Sequence, residues 1–497
     1  MKKLITTSLI VLFTFSTSFC QQFQVSFSSS VLNEPFNGNM FLLLSKYHKI
    51  PMKAETELML LPCYSIYINN AKPESIVIID DKATCYPVKL SDMERGEYFV
   101  QAVWDRNLGG RSIGASPENI YSQPVRVTFT KDTCKIFKIN CDQIIPEQTF
   151  TETESAKELK VSSTLLTDFH NKLITINAAV LLPAEYFKQL ERRFPVCFIV
   201  FGYGGDYHSY SGITISEVQP FDTTAIIRVF MDGNCPLGHS VYANSENNGP
   251  WGDAFIEEFI PALEKQYRCN GARFITGHSS GGWSSLWLQT HYPTVFAGCW
   301  ASSPDPVDFR SFLKINLYSD KNIFYDKDKE LRSYATLAGR FPWLYIKDVY
   351  QMENVISRGE QMRSFEAVFS KKAKDGNPER LCNPNTGEID SLTITHWKDY
   401  DLSLYLRTNW NSLRQYLDGK IRISVGNNDN WFLNHSIQLL EYEMNKLNAD
   451  ILFTYYAGDH FTVSTVEYRN NGIQFLEQKY KEWLNKAPEK ANSKPIP

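Results

Sequence analysis

The chain has 497 residues, too long for one ordinary core, and its length favours two or three domains. With 43% hydrophobic and 21% charged residues it has the composition of a folded protein, which excludes a disordered chain. A formal net charge of −4 excludes a global electrostatic case for nucleic acid or anionic membrane as partner.

In chain order, Lys2 and Lys3 give a short basic start, Leu4 to Phe15 is mostly apolar, and Ser16-Thr17-Ser18 follows. That layout predicts a signal peptide over 1–20, cleaved before Gln21-Gln22, and hence an exported protein, secreted or periplasmic. Cys20 is also a candidate lipid anchor, although Phe19 stands where a small residue is expected. The apolar run is too short for a good membrane span, and no later stretch is apolar enough for one. Beyond Cys20 lie nine cysteines, at 63, 85, 134, 141, 197, 235, 269, 299 and 382. An odd number leaves at least one thiol free, and no CxxC pair points to a zinc ribbon. Their pairing is not readable from the sequence.

From Phe23 to Glu147 short β-branched and aromatic runs alternate with turn signals. Ser75 to Ile79, Tyr98 to Trp104 and Val125 to Phe129 read as strands; Asn107 to Gly110 and Ser116 to Asn119 read as turns. This spacing predicts a β-sandwich of immunoglobulin-like size over 21–150. Thr149 to Lys157 is polar and reads as a linker. After it, Ile174–Leu182, Val196–Phe201, Ala225–Met231, Arg273–Thr276, Ile421–Val425 and Ile451–Tyr456 read as buried strands, and Asp253–Tyr267, Gly281–His291 and Ile473–Asn485 as helices. The alternation predicts an α/β domain over 151–490 with a mainly parallel sheet, interrupted by a lid-like insertion of helix and loop around 308–405.

The chemistry concentrates at Gly277-His278-Ser279-Ser280-Gly281-Gly282, between a predicted strand and a predicted helix. A GxSxG turn in that setting is a nucleophile elbow, with small residues flanking a serine that projects above the sheet. A serine nucleophile needs a base, and the base an orienting acid. Of the histidines after the elbow, His291 lies at the far end of the following helix, His396 in the insertion and His435 at a helix start. His460 follows the last strand and is the predicted base. Asp429, in the loop after Ile421–Val425, is the predicted acid; Asp418 precedes that strand, and Asp459 is the immediate neighbour of His460. Ser280 N–H and Tyr203 N–H, in the loop Phe201-Gly202-Tyr203-Gly204-Gly205, are the predicted oxyanion donors, with Gly202 the next choice for the second.

These motifs resemble the Putative esterase family of the α/β-hydrolases, which includes S-formylglutathione hydrolases and feruloyl and acetyl-xylan esterases. The likeness runs from about Val161 to Glu482 and rests on Glu258-Phe259-Ile260-Pro261, on Ala272 through Gly282, and on His291-Tyr292-Pro293 with Phe296-Ala297-Gly298. It implies an α/β-hydrolase fold, with the nucleophile at Ser279, the acid at Asp429 and the histidine at His460. Phe201 stands where the family often has histidine, and the gap from Ser279 to Asp429 is longer than usual.

The segment Asp232 to Ser245 follows a strand, so His239, Tyr242, Asn244 and Trp251 are candidate substrate-binding residues. His208, His239 and Asp206 show no metal-ligand spacing, so neither a metal nor another cofactor is expected. The leading expectation is a serine carboxylic-ester hydrolase whose substrate is an ester, with acylated polysaccharide as one class. A serine peptidase and a non-enzymatic glycan-binding protein are the competing readings. The sequence does not set the oligomeric state.

Overall fold

The computed structural model describes residues 21–486, apart from 55–57, 108–109, 131–134 and 215–223. The expected signal peptide, Cys20, Cys134 and Leu108-Gly109 of one expected turn lie outside the described residues.

The first part of the chain is a sandwich of two unequal sheets. Strands Gln22–Phe27, Val77–Ile79 and Ile136–Cys141 form a three-stranded sheet. A seven-stranded sheet is built around Phe36–Ser45 and Gly96–Asp105, which pair antiparallel. Side chains alternate across a strand, so Phe23, Val25 and Phe27 all point inward, against Trp104, Met40 and Leu42. The run Met40-Phe41-Leu42-Leu43-Leu44 is buried without a break, which requires cover on both faces of its sheet. Met40, Leu42 and Leu44 face the sandwich interior. Phe41 and Leu43 face the other way, onto Met352, Val355 and Ile356 of a helix, Ile346–Ile356, from the insertion. Ser116 to Asn119 is a hydrogen-bonded turn, Asn119 N–H donating to Ser116 O at 3.3 Å.

The second part is organised on one eight-stranded sheet. Its strands are β1 (Ala156–Ser163), β2 (Ile174–Leu181), β3 (Phe194–Val200), β4 (Ile227–Met231), β5 (Cys269–His278), β6 (Gly298–Ser302), β7 (Ile421–Gly426) and β8 (Ile451–Tyr456). Their spatial order is β1-β2-β4-β3-β5-β6-β7-β8. β1 and β2 are antiparallel to their neighbours and the remaining pairs are parallel. β1 begins at Ala156, inside the stretch read as a linker, because the register Ala156↔Leu181 to Ser163↔Ile174 gives its backbone a complete ladder.

Helices cover both faces. On one, Val196, Phe198 and Val200 pack with Trp283 and Leu286 of the helix Ser280–His291. On the other, Phe274 and Trp300 pack with Tyr468 and Leu476 of the helix Val466–Lys486. That last helix lies so close to β6 that a Cβ on Gly472 would sit 2.3 Å from the Trp300 ring. The segment read as one helix from Asp253 to Tyr267 starts at Trp251 and contains a π-helical turn, Phe255–Phe259.

The insertion holds a two-stranded hairpin, Ser333–Leu337 with Phe341–Tyr345, and helices Ile346–Ile356, Gln361–Phe369 and Ser391–Trp397. It is clasped to the sandwich by Arg358. The Arg358 guanidinium, 5% exposed, makes a two-pronged pair with Asp105 at 2.6 and 2.7 Å and also donates to the carbonyls of Gly110, Arg111 and Pro236.

Candidate active site

Ser279 stands where β5 turns into the helix Ser280–His291, with φ 59° and ψ −126°. A non-glycine residue holds such a conformation only when its surroundings over-determine it. Here Ser279 N–H donates to Ser302 O at 3.0 Å, and Ser279 O accepts from Trp283 N–H at 3.0 Å. The turn closes because Gly277 and Gly281 lack side chains: a Cβ would lie 2.3 Å from Gly281 O in the first case and 2.0 Å from Val200 O in the second. The elbow expected from GxSxG is therefore present in its strand–turn–helix setting.

His460 lies in the loop after β8 and Asp429 in the loop after β7. The two loops are laced together by Asn428 N–H to Gly458 O and by His460 N–H to Asn430 Oδ1, each at 3.0 Å. His460 Nδ1 and Asp429 Oδ2 are 2.7 Å apart, with Asp429 1% exposed. An ionised carboxylate only accepts, so Nδ1 carries the proton and Nε2 is left with a lone pair. Asp429 is itself fixed by the Trp431 amide at 2.9 Å. Burial works against a charge on His460. The Asp429 carboxylate and its hydrogen bond, with the charges of Asp305 and Asp459, outweigh that cost and raise the imidazole pKa above its ordinary 6.5. Asp459 instead caps its own loop, accepting from the Phe461 and Thr462 amides. Asp418 accepts from Asp450 N–H, just before β8 and thus at the sheet's opposite edge.

Ser279 and His460 line one cavity of about 620 Å³, together with Gly202, Tyr203 and Gly204. Gly202 to Gly205 is a tight turn closed by Gly205 N–H to Gly202 O at 3.1 Å, with Gly204 at φ +81°. Positive φ at that position is what glycine allows. The turn lies on the elbow: a Cβ on Gly202 would be 3.3 Å from Ser279 Cβ.

A second carboxyl group, not anticipated in the sequence, sits beside the serine. Asp305 Oδ2 accepts from Ser280 Oγ at 2.5 Å, and Oδ1 accepts from Ser279 Oγ at 3.4 Å. Gln361 Nε2 of the insertion approaches the same carboxyl at 3.5 Å. Burial pushes the Asp305 pKa up to about 6, against the lowering influence of the Ser280 hydrogen bond and the nearby His460. The only advance signal was position: Asp305 follows the end of β6, as a loop residue on the carboxyl edge of the sheet.

The family profile described as Putative esterase matches residues 174–437, more than half of the chain. The chain belongs to this esterase family.

The esterase resembles, in fold, fluorophosphonate-binding serine hydrolase F of Staphylococcus aureus, at 15% identity over 65% of this chain and 98% of that one, with a TM-score of 0.41. It also resembles a ferulic acid esterase, at 15% identity over 67% and 100% of the two chains (TM-score 0.39). A third is an S-formylglutathione hydrolase from Agrobacterium tumefaciens, at 14% over 66% and 94% (TM-score 0.38). No match was found among curated protein sequences.

Two walls of the esterase's cavity come from outside the eight-stranded sheet and its loops. The insertion contributes Leu313, Tyr334, Gln361 and Phe365, and the sandwich contributes Met52, Lys53, Leu58 and Arg111. The four residues expected to bind substrate are not among those lining it. His239, Tyr242 and Trp251 are buried in the body of the protein. His239 Nδ1 accepts from Val241 N–H at 3.0 Å, and burial lowers its pKa to about 3. Tyr242 Oη donates to Asp232 O at 2.6 Å. Asn244 Oδ1 accepts from the Gly252 and Asp253 amides at 2.9 and 3.1 Å, which caps the helix beginning at Trp251. The segment Asp232–Ser245 does follow β4, but it folds under the insertion rather than onto the elbow; a Cβ on Gly238 would lie 1.8 Å from Ser364 Oγ of the insertion.

Among the described residues no cluster of His, Cys, Asp and Glu is arranged to hold a metal, and no helix is long and apolar enough to cross a membrane. The eight described cysteines are all unpaired, and seven of them are buried.

Proposed function

We propose that this protein is an exported serine esterase that cleaves carboxylic esters through an acyl-enzyme on Ser279. The observation that carries the reading is a histidine whose Nδ1 is bound to a buried carboxylate, 2.7 Å away, and which shares a cavity with a serine on a strained strand-to-helix turn.

The chemistry follows from that arrangement. His460 Nε2 takes the Ser279 proton as Oγ attacks the ester carbonyl, and Asp429 offsets the charge on the imidazolium. The N–H groups of Ser280 and Tyr203 receive the negative charge that develops on the carbonyl oxygen. When the tetrahedral intermediate collapses, the carbon–oxygen bond to the alcohol breaks and His460 returns the proton to the departing oxygen. Water, deprotonated by the same histidine, then attacks the acyl-enzyme, releasing the acid and restoring Ser279. No step needs a cofactor.

Acyl groups on polysaccharides fit this reading. Trp431 and Phe461 are among the aromatic residues that line the cavity, and an exported enzyme meets glycans outside the cell. The decisive test is turnover of p-nitrophenyl acetate by the protein and by Ser279→Ala. Turnover that falls at least about 10³-fold in the folded variant supports the reading. Equal turnover by the two proteins removes Ser279 from the mechanism, and cleavage of peptide anilides in preference to esters replaces the esterase with a peptidase.

A further inference from the structure

We propose that Arg111, carried by the N-terminal sandwich, is a positioning residue for the oxyanion loop Gly202–Gly205, so that the sandwich is part of the catalytic apparatus. The inference rests on the serine-esterase reading. It starts from a weakness of that loop: three of its four residues are glycine, which lets the chain turn sharply but leaves little in the loop itself to hold one conformation. An amide donor works only if it is held within about 0.5 Å of its productive place, about 3 Å from the developing oxyanion.

The side chain of Tyr203 supplies the hold, and two other parts of the chain grip it. Its hydroxyl donates to Gly359 O at 2.6 Å and lies 3.2 Å from Glu360 Oε2. The Arg111 guanidinium lies over its ring, 4.2 Å from the ring centre, and donates from Nη1 to the same Gly359 carbonyl at 3.0 Å. One carbonyl of the insertion thus receives both the tyrosine of the oxyanion loop and the arginine of the sandwich. The approach is as close as backbone permits: Gly359 has φ +83°, and a Cβ there would lie 2.0 Å from Arg111 O. Arg358, the next residue back, fixes the sandwich loop through Asp105 and the Gly110 and Arg111 carbonyls. The brace is therefore rigid from the strand end at Asp105 to the amide of Tyr203. Its cation also lies beside the loop whose Tyr203 amide meets the negative charge of the substrate's oxyanion.

The test compares Arg111→Ala and Arg111→Lys with the full-length protein on p-nitrophenyl acetate, with Arg106→Ala as a control on the same sandwich loop. The expected result is a kcat about ten- to a hundredfold lower in both Arg111 variants, a fraction of the effect of deleting a whole oxyanion donor, with KM within about twofold. Arg111→Lys keeps the charge but not the flat fork, so it is expected to stay slow. Added guanidinium at millimolar concentration is expected to restore part of the kcat of Arg111→Ala alone, and phenylboronic acid, which forms a tetrahedral adduct with a serine, to bind both variants about tenfold more weakly. Arg106→Ala is expected to match the parent. A kcat within twofold of the parent in Arg111→Ala overturns the proposal. So does a fall in kcat with unchanged boronate affinity and no rescue, because a merely structural loss has that signature. Failure of the parent to turn over the ester, or Ser279-independent turnover, would instead overturn the esterase reading itself.

Discussion

At the scale of single residues, the site is governed by three ionisable groups packed into a small volume: His460, Asp429 and Asp305. His460 must be neutral to accept a proton, and its surroundings raise its pKa above 6.5. The kcat/KM of a neutral ester should therefore rise with pH through a midpoint above 6.5. Asp429 favours the charged imidazole, so its loss lowers that pKa. Asp429→Asn should move the midpoint down and depress the plateau by about 10³–10⁴-fold, since the amide no longer enforces the Nδ1–H tautomer; a pH–rate series on p-nitrophenyl acetate reads both. Asp305 also holds its proton more tightly in the folded protein, at about 6 against the ordinary 3.8, so it costs stability as pH rises through that window. That difference corresponds to at most about 3 kcal/mol. Asp305→Asn should stabilise the protein by about 1–3 kcal/mol in chemical denaturation at pH 8 and lose that advantage below pH 4. The placement of Ser279 on the elbow and of His460 beside Asp429 was legible because chain order and strand ends fix where those residues fall. Asp305 was not, since an aspartate in a loop announces nothing until β6 is seen beside the elbow.

At the scale of elements, the central strands of the large sheet were legible because they are buried on both faces and read as continuous apolar runs. Phe194–Val200 and Ile421–Gly426 are clear cases. The polar edge strand β1 was not legible. The π-helical turn at Phe255–Phe259 was not, because an extra residue in one turn leaves the apolar spacing of a helix nearly intact. The segment after β4 shows how a correct element gives a wrong neighbourhood: its polar residues were read as a pocket, yet Asn244 spends its carbonyl oxygen on two helix amides. Asn244→Ala should lower stability by about 1 kcal/mol while leaving the KM for p-nitrophenyl acetate within twofold, as measured by thermal denaturation and steady-state kinetics. Gly281→Ala tests the elbow itself. With 2.0 Å between a new Cβ and Val200 O, the turn must open, and the variant should be inactive and destabilised by more than about 3 kcal/mol.

At the scale of the whole molecule, the sequence divides into a β part and an α/β part, and the structure ties the two together through the insertion. Nothing in residues 21–150 signals that Arg111 reaches the cavity; that contact joins residues 92 positions apart in the case of Tyr203 and appears only once the chain has folded. The Arg358–Asp105 pair is the central tie. Removing one partner of a buried pair leaves a charge uncompensated and costs about 3–5 kcal/mol. The parent should therefore unfold in a single calorimetric transition, and Arg358→Ala should separate the melting of the sandwich from that of the α/β part.

The shared cover over Phe41, Leu43 and Cys63 also sets an order of events during synthesis. Leu61 and Cys63 meet Met352 across 291 and 289 residues of chain. The sandwich emerges from the ribosome first, and one apolar sheet face must wait for a helix translated much later. At about 5–20 residues per second that wait lasts tens of seconds. Through that interval the growing chain carries an open greasy flank, which makes the newborn protein a client for holding chaperones and places its greatest aggregation hazard before the enzyme is complete.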